Sequence, residues 1–369
     1  MSRYHVVWKG PIHTAGGLGI ASREYVRALR RQGVRTTAGS GRKLRQSGGA
    51  KSRSVLIYHY PPHTLNVRKA KTQYKRVILN AVWETTVIPG SWVRAINQYD
   101  AVFVPSRQNK KAMRNSGVRV PVYIAPHGVH AAVFHPRNRK LQVPETKGKF
   151  VFVSVFGFQH RKNPEALFRA YWEAFSASDK VHLVVKTNGY NARENQQWIR
   201  NRIAAYKRRL GIRKRTAPVT ILARRLRQGQ LKGIYTLGDA FVLPTRGEGV
   251  GLPFLESMAS GTPVIATGWG GHMDFLNGRN SFLVKYRLSH PFTGRSRPIS
   301  RTFRYLFSGR AQLWAEADIG SLKRQMRLAY ENPVLSRRKG QEGRRDALRL
   351  SWNRAGVMMK KAIEAVIRR

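Results

Sequence analysis

Arg246–Thr267 reads RGEGVGLPFLESMASGTPVIAT. Just ahead of it, the apolar run Ala240 to Leu243 has the composition of a buried strand. Pro244 to Gly251 form a glycine-bearing loop, and Leu252 to Ser260 carry helical spacing with Pro253 in the favoured first turn. A helix therefore starts at the carboxyl end of a strand, the building block of a parallel α/β sheet. Such a start leaves N–H groups near Val250, Gly251 and Leu252 without helical acceptors, at the positive end of the helix dipole, and this suits a phosphate. Gly249 and Gly251 let a ligand approach the backbone closely.

Glu248 and Glu256 bracket the turn. The chain has only 18 Asp plus Glu against 69 Lys plus Arg in 369 residues, so two carboxylates here ask for a chemical reason. Helical side chains lean towards the N-terminus, which turns Glu256 back to the crevice that Glu248 borders from the loop. The plainer alternative makes Glu256 a complement to the helix dipole and Glu248 a solvated loop charge.

Working outward, short apolar runs alternate with helical patterns. Tyr4 to Trp8, Val55 to Tyr58, Val77 to Val82, Ala101 to Pro105 and Pro121 to Ala125 read as strands, with helices over Ile20 to Arg31 and Arg107 to Ser116. After a polar, proline-bearing stretch a second series follows, with strands at Phe150 to Phe156, Val181 to Lys186, Val219 to Ala223, Ala240 to Leu243, Pro263 to Ala266 and Ser281 to Val284. The fold class is α/β, in two halves: 1–136, a linker over 137–149, and 150–350, followed by a helix in 351–369. Tyr286 to Gln312 breaks the alternation and mixes six arginines with five aromatic residues. Such a segment either packs its rings onto the domain or stacks the bases of a single-stranded nucleic acid.

With 41% apolar residues the chain has enough material for two cores. No stretch approaches the run of about 18 to 20 apolar residues that spans a membrane, and MSRYHVVWKGPIHTAGG lacks a signal-peptide core, so the expected location is cytoplasmic. The absence of cysteine excludes disulfides, thiolate metal sites and a cysteine nucleophile. No metal-ligand spacing is present, and there is no Asp-x-Asp. The formal charge of +51 is spread along the chain, with no acidic residue between Glu24 and Glu84 or between Glu194 and Asp239. It favours a polyanionic partner: an anionic membrane face, an acidic glycan or nucleic acid. A generally basic surface with no particular partner is the other reading.

The string GEGVGLPFLESMASGTPVIATGWGG, Gly247 to Gly271, resembles the signature of the retaining, nucleotide-sugar-dependent family 4 glycosyltransferases (glycosyl transferases group 1), in which seven residues separate two glutamates. Further motifs agree in order: GGLGIASREYVRAL from Gly16, WETTVIPGSW from Trp83, YDAVFVPSRQNKKAM from Tyr99, APHGVHAAVFHP from Ala125, HRKNPEALFRAY from His160 and NSFLV from Asn280. The resemblance implies a GT-B fold, two Rossmann-like domains facing a cleft, the first on the acceptor side and the second binding a UDP- or GDP-type sugar. It also implies that the last helix, Trp352 to Ile367, crosses back to the first domain.

In site terms, the resemblance carries over Glu256 as the ribose anchor and Glu248 as the border of the donor sugar. Lys162 falls where relatives hold the diphosphate, with Arg161 beside it, although their companion arginine lies nearer Gln159. Backbone of Gly249, Val250, Gly251 and Leu252 meets the donor, and Gly16, Gly17 and Gly19 close over it. Many relatives carry a histidine after the strand Val77 to Val82; this chain has Glu84 there, and His59 is a further candidate. His127 and His130 are not selected. The reaction implied is metal-independent hexosyl transfer with retention and no cofactor. The alternatives are an enzyme that glycosylates modified DNA, or an inactive basic nucleic-acid-binding protein on the same scaffold.

Overall fold

A computed structural model describes residues 4–40, 53–223, 226–292 and 304–369. Most of the basic loop Gly39 to Ser54 and the centre of Tyr286 to Gln312 lie outside the described residues. The chain forms two compact units: Met1–Gly128 with Gly309–Gln312 and Leu350–Arg369, and Val129–Ser308 with Leu313–Arg349.

In the first unit, strands β1 (His5–Lys9), β2 (Arg35–Gly39), β3 (Ser54–Tyr58), β4 (Arg76–Asn80), β5 (Ala101–Val104) and β6 (Val122–Ile124) form one parallel sheet in the order β2-β1-β3-β4-β5-β6. Central strands read as unbroken apolar runs because helices cover both faces of such a sheet: Val55 to Ile57, Val77 to Leu79 and Ala101 to Val104 are all fully buried. The helices are α1 (Gly17–Arg31), α2 (Val67–Gln73), α3 (Gly90–Ile96) and α4 (Arg107–Asn115).

The second unit has β7 (Phe150–Gly157), α5 (Pro164–Ala174), β8 (Val181–Asn188), α6 (Gln196–Arg209), β9 (Val219–Leu222), α7 (Gln228–Leu237), β10 (Ala240–Leu243), α8 (Leu252–Ala259), β11 (Val264–Thr267) and β12 (Ser281–Val284). Its sheet is parallel in the order β12-β11-β10-β7-β8-β9, the doubly wound Rossmann arrangement. A two-stranded antiparallel ribbon of β13 (Tyr286–Ser289) and β14 (Trp314–Ala317) follows, then α9 (Ile319–Glu331) and α10 (Pro333–Leu348). The last helix, α11 (Trp352–Arg368), belongs to the first unit and runs along α1, where Gly356 lies against Ala28 closely enough that a Cβ would stand 2.8 Å from the alanine methyl.

Two readings need adjustment. Arg137 to Lys149 is not a free linker but part of the second unit, held by Leu141 N–H on Gly233 O (2.9 Å) and by buried Asn138, Val143 and Thr146. Its polar composition hid these few anchors. In the segment from Tyr286, the rings divide: Phe307 packs on Trp314 and Phe292 on His290, while Tyr286 and Tyr305 are exposed. No helix among the described residues is long and apolar enough to cross a membrane.

Candidate active site

The strand order reverses between β7 and β10, which puts the loops after these two strands side by side. Open α/β sheets bind ligands at such a reversal. Here the turn His160–Lys162 after β7 meets the loop Pro244 to Gly251 after β10. Arg246 N–H bonds Arg161 O (2.8 Å), Thr245 Oγ1 donates to the same oxygen (3.1 Å), and an Arg161 guanidinium N–H reaches Gly247 O (2.6 Å).

At the centre stands Glu248, 5% exposed. Lys162 Nζ donates to its Oε1, Arg161 Nη1 lies 3.2 Å from Oε2, and Thr245 Oγ1 lies 3.3 Å from Oε1. Burial by itself pushes the Glu248 carboxyl up, but the Lys162 ammonium and the Arg161 guanidinium outweigh burial and hold it at about 2. The sequence set Lys162 across a ligand from Glu248; the structure joins them directly, because neighbouring strands leave no gap between their loops.

The backbone around Glu248 is equally fixed. Glu248 O accepts from Gly271 N–H (2.7 Å), and Gly251 caps α8 with φ +86°, a left-handed conformation that glycine adopts without strain. Pro253 sits in the first turn, and Phe254, Leu255 and Met258 are buried beneath. Among the described residues, no acceptor within the protein faces the N–H groups of Gly249, Val250, Gly251 or Leu252. They form a fixed set of donors at a helix start.

Glu256 lies one turn into α8 and is half-buried. The phenol of fully buried Tyr235, on α7, donates to its Oε2 (2.5 Å). Burial raises the Glu256 carboxyl to about 7, against the lowering effect of that bond. Its folded-state value therefore exceeds the ordinary carboxylate value, so native stability is favoured at acid pH and lost as pH rises from about 4.5 through about 7. Glu256→Gln is expected to stabilise the protein by on the order of 2 kcal/mol at pH 8 and hardly at all at pH 4.5, read from urea midpoints at the two pH values.

Sequence reasoning missed the brace beneath this site. Arg246, 5% exposed, grips Glu316 of β14 through Nε to Oε2 (2.6 Å) and Nη2 to Oε1 (3.0 Å), while Nη1 donates to His160 O (2.6 Å). Asn163, at φ 54° as the N-cap of α5, donates to Glu316 Oε1 (3.1 Å). The rarity of carboxylates that flagged Glu248 applies equally to Glu316. Glu316→Ala is expected to cost about 3 kcal/mol in chemical denaturation, because it strips a buried guanidinium of its counter-charge, while Glu316→Gln costs less.

The remaining candidates belong to the first unit. Gly16 and Gly17 are exposed at the start of α1, where an added Cβ would meet nothing; the glycine under steric demand is Gly19, whose Cβ would stand 2.1 Å from Thr14 O. Glu84 is half-buried in a turn that Trp83 fixes by donating its N–H to Asn109 Oδ1 (2.6 Å) and its Nε1–H to Val87 O (2.8 Å). His59 is 3% exposed, hydrogen-bonds Ser22 Oγ through Nδ1 (2.8 Å) and is held neutral by burial at about 4, which fits a core histidine.

Residues 147–293, which hold Arg161, Lys162, Glu248 and α8, match the family model of the glycosyl transferases group 1. That segment is similar to a group 1 glycosyltransferase domain. The chain is 26% identical over 207 residues to alpha-monoglucosyldiacylglycerol synthase of Streptococcus pneumoniae, covering 54% of this chain and 44% of that protein. It spans less than half the length of the curated relatives it matches. Among solved structures, a sucrose-phosphate synthase from Thermosynechococcus elongatus superposes with a TM-score of 0.72 at 16% identity, over 99% of this chain and 100% of that one. Anabaena HepE, solved with UDP and glucose, gives 0.70 at 12% identity, over 98% and 99%. These likenesses show the fold of the chain as GT-B, two Rossmann-like units.

Proposed function

We propose that this chain transfers a hexose, with retention of anomeric configuration, from a nucleoside diphosphate sugar to an anionic acceptor or one on an anionic surface. The observation that carries the reading is the meeting of Lys162, Arg161 and Glu248 at the start of α8, at the strand-order reversal of the second unit. Charge builds on the departing diphosphate during transfer, and fixed cations with unspent backbone donors are what that charge requires. In this reading the amides of Gly249 to Leu252 and the Lys162 ammonium receive the diphosphate, Glu248 borders the sugar, and Glu256 accepts the ribose hydroxyls. Gly16 and Gly17 contribute to donor binding, and Glu84 takes a catalytic role as the polar group near the reacting sugar.

The departing phosphate oxygen takes the acceptor's proton on the face where the new bond forms, so no protein base and no bound metal is required. The net charge of +51 supports an anionic acceptor, since it concentrates polyanions at the surface. The name of the pneumococcal relative points to a lipid product, which agrees with an acceptor at a membrane face.

A thermal-shift panel of UDP-, GDP- and ADP-sugars at fixed salt tests the proposal. One nucleotide class should raise the midpoint, and slow donor hydrolysis should vanish in both Glu248→Ala and Glu256→Ala. Duplex DNA binding without a response to any nucleotide sugar would replace this reading with that of a nucleic-acid-binding protein. Salt-dependent DNA binding alone would not, because the charge makes some inevitable.

A further inference from the structure

Among the described residues, Tyr235 is a fully buried hydroxyl-bearing ring aimed at the candidate ribose anchor. Phe134 packs on it edge to face (5.8 Å between centroids) and Phe241 at a tilt (5.8 Å), while its carbonyl accepts from Thr262 Oγ1 (2.7 Å). The ring therefore has no freedom to swing, and its hydroxyl is pinned 2.5 Å from Glu256 Oε2. Burial and the adjacent Glu256 raise the Tyr235 phenol well above its ordinary value, so it stays a donor throughout the accessible pH range.

We propose that Tyr235 is a positioning residue for the donor: its phenol fixes one Glu256 oxygen and favours the ionised form, leaving the other oxygen to accept ribose hydroxyls. The proposal rests on Glu256 being the ribose anchor. Chemically, a protonated carboxyl turns one oxygen into a donor and loses the charge, whereas a carboxylate accepts on both oxygens, from Tyr235 on one and from the ribose on the other, through stronger charge-assisted bonds. A hydrogen bond donated to the charged form lowers the carboxyl value, and here it opposes the burial that raises it.

The other charged or titratable groups packed around α8 are differently engaged. Glu248, from the preceding loop, is bound to Lys162 and Arg161. His272, from the turn Gly271–Asp274, packs at a tilt on Phe254 (4.7 Å) and hydrogen-bonds Thr267 O through Nε2 (2.7 Å); burial holds it neutral. Arg344, from α10, donates to Ala259 O at the far end of the helix. Tyr235 is the group that engages the Glu256 carboxyl itself.

The test is calorimetric titration of the full chain with UDP-glucose, GDP-glucose and ADP-glucose from about pH 6 to about pH 9 at constant salt, where their diphosphate bridges hold no titrating proton. The wild type should bind one of them with affinity that rises as pH passes about 7 and then levels. Tyr235→Phe, which keeps the ring packing, should reach the same plateau with the rise moved up by about one pH unit, roughly tenfold weaker near neutrality. Glu256→Gln should bind weakly at every pH.

A Tyr235→Phe profile that superposes on the wild type, or one weakened equally at all pH values, would overturn the proposal. So would a wild-type profile without an inflection, and that result needs no variant to fold. Failure of the underlying donor reading looks different: no nucleotide sugar binds the wild type, or Glu256→Gln binds as the wild type does.

Discussion

Glu248→Ala is expected to lower donor turnover by at least about two orders of magnitude and to cost about 3 to 5 kcal/mol of stability. Both effects have one source. The side chains of Lys162 and Arg161 are only 12% and 18% exposed, and both face the Glu248 carboxylate. Removing the carboxylate leaves two cations against each other in a site with little water, and the loops after β7 and β10 lose their common tie. The penalty is of desolvated charge, so it is not additive: Lys162→Met combined with Glu248→Met should be less destabilised than Glu248→Ala alone. Urea denaturation of both variants, with steady-state donor hydrolysis, checks this. Acid acts in the same direction. Because the folded-state carboxyl is depressed to about 2, its contribution is complete above the ordinary value and lost as pH falls from about 4.5 towards 2.

Gly251→Ala should cost about 3 kcal/mol and strongly weaken nucleotide-sugar binding. Its φ of +86° strains any residue with a Cβ, by about 1 to 2 kcal/mol. The new methyl would also stand 2.4 Å from Phe254 Cδ2, a ring that is fully buried and locked between Phe241 and His272. Overpacking adds about 1 to 3 kcal/mol, and relief requires the peptide to turn, which takes the Gly251 and Leu252 N–H groups out of line. Gly278→Ala is the control, since a Cβ there meets nothing, and it should stay within about 0.5 kcal/mol of the wild type. Thermal denaturation and nucleotide-sugar titration measure both variants.

Much of the fold was legible because its signals are short-range. Ala240–Leu243 and Ser281–Val284 coincide with β10 and β12, and the helix expected from Leu252 begins there. Two of the missed strands, β2 and β13, are of a different kind. β2, RTTAG, lies at the sheet edge and carries little apolar patterning, and β13 is largely exposed, so neither shows the buried run that marks its neighbours. In the site, Glu248, Glu256, Lys162 and Arg161 were visible as motif residues, whereas Arg246, Glu316 and Tyr235 were not singled out. Their importance lies in what each touches.

The sequence by itself determined that strands alternate with helices, that a glycine turn bracketed by two glutamates feeds a helix, and that these motifs resemble those of a glycosyltransferase. All of this depends on neighbours within about two turns of chain. Only the tertiary structure decided the partners. Glu248 meets Lys162 across 86 residues, Arg246 meets Glu316 across 70, and Tyr235 meets Glu256 across 21. The first follows from the placing of β10 beside β7, the second from the docking of β14 on the loop after β10, and the third from the packing of α7 beside α8; each is set by burial of whole element faces against one another, which no local run of residues encodes.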